Sequence, residues 1–219
     1  SHSLSSLIHA LWIHTAGLNA SYQAFGPADE AGFADLIAEG RAGNLRGLNV
    51  TAPFKEQALA LADEVSATAR ACGSANLLVF KDGRLSADST DGLGLMLALS
   101  EQAPAFDPRG ASVVVLGAGG AGRAAGGGLE ARGGEVGVLN RTRERAETLA
   151  AELGSSVVEP EAVRDAALIV NALSVRPEIE IAALRDDVVL MDMTYKPLLT
   201  PFLAAGQARG LTTVDGLAI

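Results

Sequence analysis

Apolar and polar residues alternate through roughly the first hundred positions with two periods, one typical of amphipathic helices and one of half-buried strands. Residues 4–17 carry apolar side chains at helical spacing, and a glycine ends that run. The pattern predicts further helices over 31–39, 53–61, 65–71 and 92–100, with Pro53 in the first turn of the second and Asp91 capping the last. It predicts strands over 20–25, 45–50, 76–80 and 84–87, and therefore a parallel or mixed sheet.

A more regular alternation begins at residue 111, after a segment with Pro104 and Pro108 that is typical of a linker. It predicts strands over 112–116, 135–140, 167–171, 188–192 and 211–214, and helices over 120–132, 142–153 and 199–209. Such an order is typical of a doubly wound sheet. We therefore predict an α/β fold with two domains, residues 1–106 and 107–219.

The first strand of the second domain runs directly into a glycine-rich turn. Gly117, Gly119 and Gly122 fit the spacing G-x-G-x-x-G. In that motif one glycine makes the turn, one lets the backbone approach a pyrophosphate, and one lets the helix pack on the strand. The helix behind the turn presents free N–H groups to an anion. The motif alone is weak evidence, but its place between a strand and a helix predicts a dinucleotide site. The predicted cofactor-binding residues of the turn are Gly117, Ala118, Gly119, Gly120 and Ala121.

The end of the second strand indicates which dinucleotide is bound. An NAD site usually has Asp or Glu there, which accepts hydrogen bonds from the ribose hydroxyls. This chain instead has Asn140, Arg141 and Thr142, with Arg145 one helical turn further on. Because a guanidinium binds a 2′-phosphate and no carboxylate repels it, we predict that these four residues bind NADP rather than NAD. The alternative is that the two arginines are solvated residues at an exposed helix start.

Composition limits the other classes of function. The formal net charge of −9 argues against general binding to nucleic acid or to an anionic membrane, so we expect a small-molecule substrate. Cys72 is the only cysteine, which excludes an internal disulfide and a cysteine-based zinc site. The three histidines lack metal-ligand spacing, and we expect no metal. The apolar N-terminal stretch lacks the basic region of a signal peptide, so we expect a cytoplasmic protein, either a monomer or a homodimer.

Short polar clusters lie at the ends of predicted elements in the first domain, at residues 3–6, 49–55, 73–76 and 89–92. Along the chain the motifs H-S-L-S, N-V-T-x-P-F-K, G-x-x-N, T-D-G-x-G, G-A-G-G-A and N-R-T-x-x-R-A occur in that order. With these motifs the chain resembles the shikimate dehydrogenase family over nearly its whole length. The resemblance implies reduction of 3-dehydroshikimate to shikimate with NADPH, a step of chorismate and aromatic amino-acid biosynthesis. It also implies an N-terminal α/β substrate-binding domain, a Rossmann NADP-binding domain, and an active site in the cleft between them.

Lys55 and Asp91 are the candidate catalytic residues. Hydride transfer to a ketone develops an alkoxide, which needs a positioned proton donor. Lys55 suits that role, because a lysine in the first turn of a helix opposes the helix dipole and ordinary stabilisation does not explain it. The resemblance implies that Asp91 pairs with Lys55 and binds a substrate hydroxyl. The alternatives are a solvated surface lysine and an aspartate that only caps its helix.

The substrate site predicted from the resemblance includes five further residues. Ser3 and Ser5 can donate hydrogen bonds to a carboxylate, and the family uses the corresponding pair for the carboxylate of shikimate. The alternative is that a serine here caps the first helix. Thr51 and Asn76 match the family's hydroxyl ligands, and Tyr195 matches a residue near substrate and nicotinamide.

Ser174, Met193 and Gly216 fall at positions that the family uses on the cofactor side. By themselves they would be a strand end, a core methionine and a turn glycine. Leu173 and Arg176-Pro177 depart from the family's pattern, and this motivates one alternative, a catalytically idle paralogue that senses dinucleotide or shikimate. A second alternative is a quinate or shikimate dehydrogenase that prefers NAD.

Overall fold

The chain forms two sheets, one from each half of the sequence, and the computed structural model describes residues 4–173 and 175–218. The elements of the first half are α1 Ser5–Thr15, α2 Glu30–Arg41, β1 Gly47–Asn49, α3 Lys55–Ala60, β2 Glu64–Val65, α4 Ala67–Cys72, β3 Leu77–Lys81, β4 Arg84–Asp88 and α5 Asp91–Gln102. Those of the second half are β5 Ser112–Leu116, α6 Gly120–Glu130, β6 Glu135–Leu139, α7 Arg143–Leu153, β7 Ser156–Val157, β8 Leu168–Asn171, β9 Val189–Asp192, α8 Pro201–Ala208 and β10 Thr212–Val214. No helix among these described residues is both long and apolar enough to span a membrane.

The first sheet is mixed, as the sequence predicts. Its strands lie in the order β1-β3-β4-β2, with β3 antiparallel to both of its neighbours and β2 parallel to β4. Alternate residues of β3 point to opposite faces, so Leu78 and Phe80 are buried with Phe33 of α2, while Val79 is half exposed. This core holds the loops that carry the polar clusters of the first half.

The second sheet is parallel throughout, in the order β10-β9-β8-β5-β6-β7. The chain winds outward from β5 in one direction through β6 and β7, and in the other through β8, β9 and β10. This confirms the doubly wound prediction. Helices α5, α6 and α7 pack on one face and α8 on the other. In such sheets ligands bind beyond the carboxyl ends of the strands where the order reverses, here at β5 and β8.

Helix α5 connects the two sheets. Its buried residues Leu95 and Leu99 pack in the core of the second sheet, whereas its N-terminus directly follows β4 of the first. Glycines allow α5 to cross closely over α6. A Cβ on Gly92 would lie 3.0 Å from the carbonyl oxygen of Ala124, and one on Gly128 would lie 3.2 Å from the Cα of Gly92. The contact fixes the start of α5 relative to the helix that follows the glycine turn.

Several local predictions in the first half are wrong. No strand forms over 20–25, because a strand requires a paired neighbour and the described residues provide none there. The helix predicted from residue 65 begins only at Ala67, because Ser66 caps it by accepting a hydrogen bond from the N–H of Ala69. Pro53 precedes α3 rather than lying in its first turn, since Phe54 is the N-cap.

Candidate active site

The glycine turn lies between β5 and α6, at the carboxyl edge of the second sheet. Gly117 has φ of 108°, a left-handed conformation that favours glycine. A Cβ on Gly122 would overlap the carbonyl oxygen of Gly117, so that position must be glycine for the turn to close on the helix. In contrast, a Cβ on Gly119 would meet no atom of the described residues within 4 Å. The first glycine and the last therefore shape the turn, whereas the middle one leaves open space beside it.

Two further features of the turn are compatible with the predicted binding of an anion. Gly119 is the N-cap of α6 and has no side chain to cap the first N–H groups of the helix, which stay available to a ligand. Asn140, at the end of β6, accepts a hydrogen bond from the N–H of Ala118 (3.3 Å) and donates to the carbonyl of Thr142 (2.9 Å). Asn140 thus holds the turn against the start of α7.

Three arginines lie in the first turn of α7 and in the loop before it, and they differ in their partners. Arg143 pairs with Glu147 and Glu159 on the surface. Arg141 and Arg145 are exposed, and within residues 4–173 and 175–218 neither forms an ion pair with a carboxylate. The two arginines that the sequence assigns to a 2′-phosphate are therefore not engaged by a neighbouring carboxylate, whereas the one between them is.

Lys55 and Asp91 are adjacent in space although 36 residues separate them in sequence. Lys55 is the first residue of α3 and Asp91 the first of α5, and Lys55 Nζ lies 2.5 Å from Asp91 Oδ2. Their side chains are only 19% and 14% exposed, which does not fit a solvated surface lysine. The carboxylate does not cap its own helix, because it bonds to Lys55 and Asn76; Thr90 is the N-cap instead. The prediction that Asp91 caps α5 is therefore wrong.

Asn76 holds the other oxygen of that carboxylate. Its Nδ2 donates to Asp91 Oδ1 at 2.5 Å, and its Oδ1 accepts from the N–H of Thr90 at 2.9 Å. The carbonyl of Asn76 accepts from the N–H of Val50, which brings the exposed Thr51 beside it. Thr90 is a site residue that sequence reasoning missed, although it lies within the T-D-G motif.

A second missed residue, Tyr22, lies against the start of α1. Its hydroxyl donates to Asn49 Oδ1 (3.3 Å) and shares a hydrogen bond with the side chain of Ser5, while its ring stacks on His9 at 4.2 Å. Burial raises the pKa of Tyr22, and the bond with Ser5 opposes that shift. Ser5 is not a helix cap, since Leu4 occupies the N-cap position. The predicted partner of Ser5, Ser3, lies outside the described residues.

The residues predicted on the cofactor side lie at the carboxyl ends of β8, β9 and β10. A Cβ on Gly216 would lie 2.6 Å from the carbonyl oxygen of Met193, so these two residues are in direct contact. Leu173 packs against the turn, because a Cβ on Gly117 would lie 3.0 Å from its Cδ2. Tyr195 is half-buried two residues beyond Met193. Ser174 lies outside the residues that the structure describes.

The Lys55–Asp91 pair lies close to the glycine turn. A Cβ on Gly120 would lie 3.9 Å from Lys55 Cδ and 3.8 Å from the hydroxyl of Ser74. Lys55, whose ammonium is oriented by Asp91, therefore lies beside the turn that is predicted to bind a dinucleotide. This arrangement can deliver a proton to an oxygen whose carbon receives a hydride.

Comparisons with known proteins match both halves of the chain. A family model described as the shikimate dehydrogenase substrate binding domain matches residues 1–78, and one described as shikimate / quinate 5-dehydrogenase matches residues 99–175. A shikimate dehydrogenase (NADP(+)) from Caulobacter vibrioides (strain NA1000 / CB15N) is 47% identical over 230 residues, which cover 99% of this chain and 80% of that protein. One from Methylocella silvestris is 41% identical, covering 100% and 82%.

A solved structure gives the same match in three dimensions. Shikimate 5-dehydrogenase from Thermus thermophilus, in complex with NADP(H) and shikimate, superposes with a TM-score of 0.90 at 38% sequence identity. The superposition covers 99% of this chain and 84% of that one. The similarity therefore extends over both sheets and the residues of the candidate site.

Proposed function

Because the chain belongs to the shikimate dehydrogenase family, we propose that it reduces 3-dehydroshikimate to shikimate, with Lys55 and Asp91 as its acid–base pair. It is an NADP-dependent oxidoreductase of the shikimate pathway, which leads to chorismate and the aromatic amino acids. The proposal concerns the direction of the reaction and the role of each residue. The observation that carries the proposal is the short Lys55–Asp91 ion pair packed against the dinucleotide turn.

The carboxyl edge of the second sheet fits NADP. The uncapped N–H groups of α6 and the open space beside Gly119 suit the pyrophosphate, and Arg141 and Arg145 suit the 2′-phosphate. Bound NADPH supplies the hydride. On the nicotinamide side we assign Met193 and Gly216, together with Ser174.

The polar residues of the first half suit the substrate. We assign its carboxylate to the hydroxyls of Ser3 and Ser5; Ser5 is the first residue of α1, where helix N–H groups add attraction for an anion. Its hydroxyl groups are assigned to Thr51, Asn76 and Asp91, which share one side of the site. Tyr195 is assigned a place near both substrate and nicotinamide.

Lys55 delivers the proton. As negative charge develops on the carbonyl oxygen of the substrate, Nζ of Lys55 donates its proton to that oxygen and leaves the product as an alcohol. Asp91 aims Nζ through the 2.5 Å ion pair, and Asn76 in turn aims Asp91. Because both side chains are mostly buried, little water competes for the ammonium.

The direct test is oxidation of NADPH in the presence of 3-dehydroshikimate. We expect turnover by the unaltered chain, and a kcat lower by about 10²- to 10⁴-fold for Lys55→Ala, as is typical when a general acid is removed. Lys81→Ala, at an exposed lysine of β3, is the matched control and should keep its activity. No turnover by the unaltered chain, or equal turnover after Lys55→Ala, would overturn the proposal.

The same assay separates the alternatives. Rates with NADH in place of NADPH, and with quinate in place of shikimate in the reverse direction, distinguish a quinate enzyme that prefers NAD. Binding of NADP and shikimate without turnover would support a sensor, although the intact Lys55–Asp91 pair favours an enzyme. We also infer a cytoplasmic location, which a single unpaired cysteine, Cys72, suits.

A further inference from the structure

Arg123 lies where the dinucleotide turn and the catalytic pair meet, and neither the motifs nor the proposed mechanism gives it a role. It stands on α6 directly after Gly122, the last glycine of the turn. Its side chain is only 15% exposed, and its Nη1 forms an ion pair with Glu152 of α7. The guanidinium is thus anchored to the second half of the chain.

The same side chain lies close to Gly73 of the first half. A Cβ on Gly73 would lie 2.9 Å from Cδ of Arg123, 3.0 Å from Nη1 and 3.1 Å from Nε. Gly73 ends α4 with φ of 58°, so both its left-handed backbone and the lack of space favour glycine. The contact is a close approach between the two halves, made by the Arg123 side chain on a residue without a side chain.

Gly73 begins segment 73–76, which forms hydrogen bonds to both Lys55 and Asp91. Two residues on, the N–H of Ala75 donates to the carbonyl of Lys55 at 2.9 Å. One residue later, Asn76 donates to the carboxylate of Asp91. Ser74, which lies between Gly73 and Ala75, is 1% exposed, and its hydroxyl faces Gly120 of the turn. A displacement of Gly73 would therefore move Lys55 through the backbone hydrogen bond from Ala75. It would move Asp91 through the side-chain hydrogen bond from Asn76.

Stability alone does not account for an arginine here. Within the described residues, the buried Nε of Arg123 has no hydrogen-bond acceptor, and an unsatisfied buried donor is unfavourable. An apolar side chain of similar length would cover Gly73 without that cost. What arginine supplies is a side chain long enough to cover Gly73 that also pairs, through its guanidinium, with a carboxylate on another helix.

We propose that Arg123 is a positioning residue for hydride transfer, which sets the distance between the cofactor-binding turn and the Lys55–Asp91 pair through Gly73. The proposal rests on the proposed function. Arg123 need not touch substrate or cofactor, because it acts through segment 73–76. A misplacement of about 1 Å between reacting groups can lower a rate by about 100-fold, so a contact of this kind has a measurable effect.

The test compares Arg123→Ala and Arg123→Lys with the unaltered chain. For Arg123→Ala we expect kcat for 3-dehydroshikimate reduction to fall by about 10- to 100-fold, with KM for both substrates changed by less than about threefold. The primary isotope effect with NADPH deuterated at the transferred hydride should rise, because the chemical step becomes slower than the others. Arg123→Lys keeps the charge near Glu152 and should recover part of the rate. Arg143→Ala, at an exposed arginine that also pairs with two glutamates, is the matched control and should leave kcat unchanged.

The outcomes separate this proposal from the proposed function. A folded Arg123→Ala variant with kcat and isotope effect equal to those of the unaltered chain would overturn the positioning role alone. So would a loss of rate that disappears when kcat is expressed per molecule of folded enzyme, measured by circular dichroism. Absence of turnover by the unaltered chain would instead overturn the proposed function.

Discussion

A methyl group at position 119 would test whether the open space beside the glycine turn belongs to the cofactor. Gly119 has φ of −95° and ψ of −172°, an extended conformation that any residue adopts. Among residues 4–173 and 175–218, a Cβ there meets no atom within 4 Å. We therefore expect Gly119→Ala to fold normally, with a free energy of unfolding within about 0.5 kcal/mol of the unaltered chain.

The Gly119→Ala variant should bind NADP more weakly although its folding is unaffected. The methyl group would stand where the backbone must approach the pyrophosphate. Forcing an extra methyl into a close contact typically costs about 1–3 kcal/mol. Since about 1.4 kcal/mol is a tenfold change in affinity, the Kd for NADP should rise by about 5- to 150-fold.

Titration of protein fluorescence with NADP measures Kd, and urea denaturation measures the free energy of unfolding. Gly122→Ala is the matched control, because its methyl would overlap the carbonyl oxygen of Gly117 inside the protein. That variant should lose about 1–3 kcal/mol or more of folding stability. The reasoning is refuted if Gly119→Ala binds NADP as the unaltered chain does, or if both variants are destabilised alike.

Other substitutions test separate parts of the account. Arg141→Ala should raise the Kd for NADP by about tenfold or more and leave that for NAD unchanged, whereas Arg143→Ala should change neither; equal effects on both dinucleotides would contradict the assignment to the 2′-phosphate. Asp63 is hydrogen-bonded to Arg41, which lowers the pKa of its carboxyl, so its stabilising effect is present above the ordinary carboxyl pKa and is lost as the pH falls through the folded value. Urea denaturation of Asp63→Asn should therefore show a deficit at neutral pH that shrinks in acid, and a constant deficit would refute this. Leu78→Ala, at a residue with no exposed surface in the first core, should lower the free energy of unfolding by about 2–5 kcal/mol, and a loss below about 1 kcal/mol in urea would show that this core is not packed as described.

The second sheet could be predicted almost completely from the sequence, because its signals are local. The run that ends at Leu116 is apolar and mostly β-branched, as a strand buried on both faces requires, and the glycines follow it at once. The preference for right-handed parallel crossovers then restricts the topologies such a chain can adopt, and the structure supplies the order of the strands. The two-residue strand β7 escaped the pattern because so short a segment leaves no period to detect.

The first half was harder to predict, since its sites depend on contacts between distant segments. Nothing local to Lys55 indicates that Asp91 would lie 2.5 Å away; the family motifs supplied that pairing, and the structure supplies the distance. Tyr22 was missed because its segment has the alternation of a strand, while its neighbours Ser5 and Asn49 are set by tertiary packing. The pattern of apolar residues indicates which face of an element is buried, but it does not indicate which residues that face contacts.

The central claim is that Lys55 and Asp91 act as one unit in reducing 3-dehydroshikimate, and a double-mutant cycle on kcat tests it most directly. We expect Lys55→Ala and Asp91→Ala each to lower kcat by about 10²- to 10⁴-fold while the Kd for NADP stays nearly constant. Because the aspartate acts by aiming the lysine, the double variant should be no slower than Lys55→Ala alone. Losses that multiply in the double variant, or a single variant with the kcat of the unaltered chain, would contradict the account.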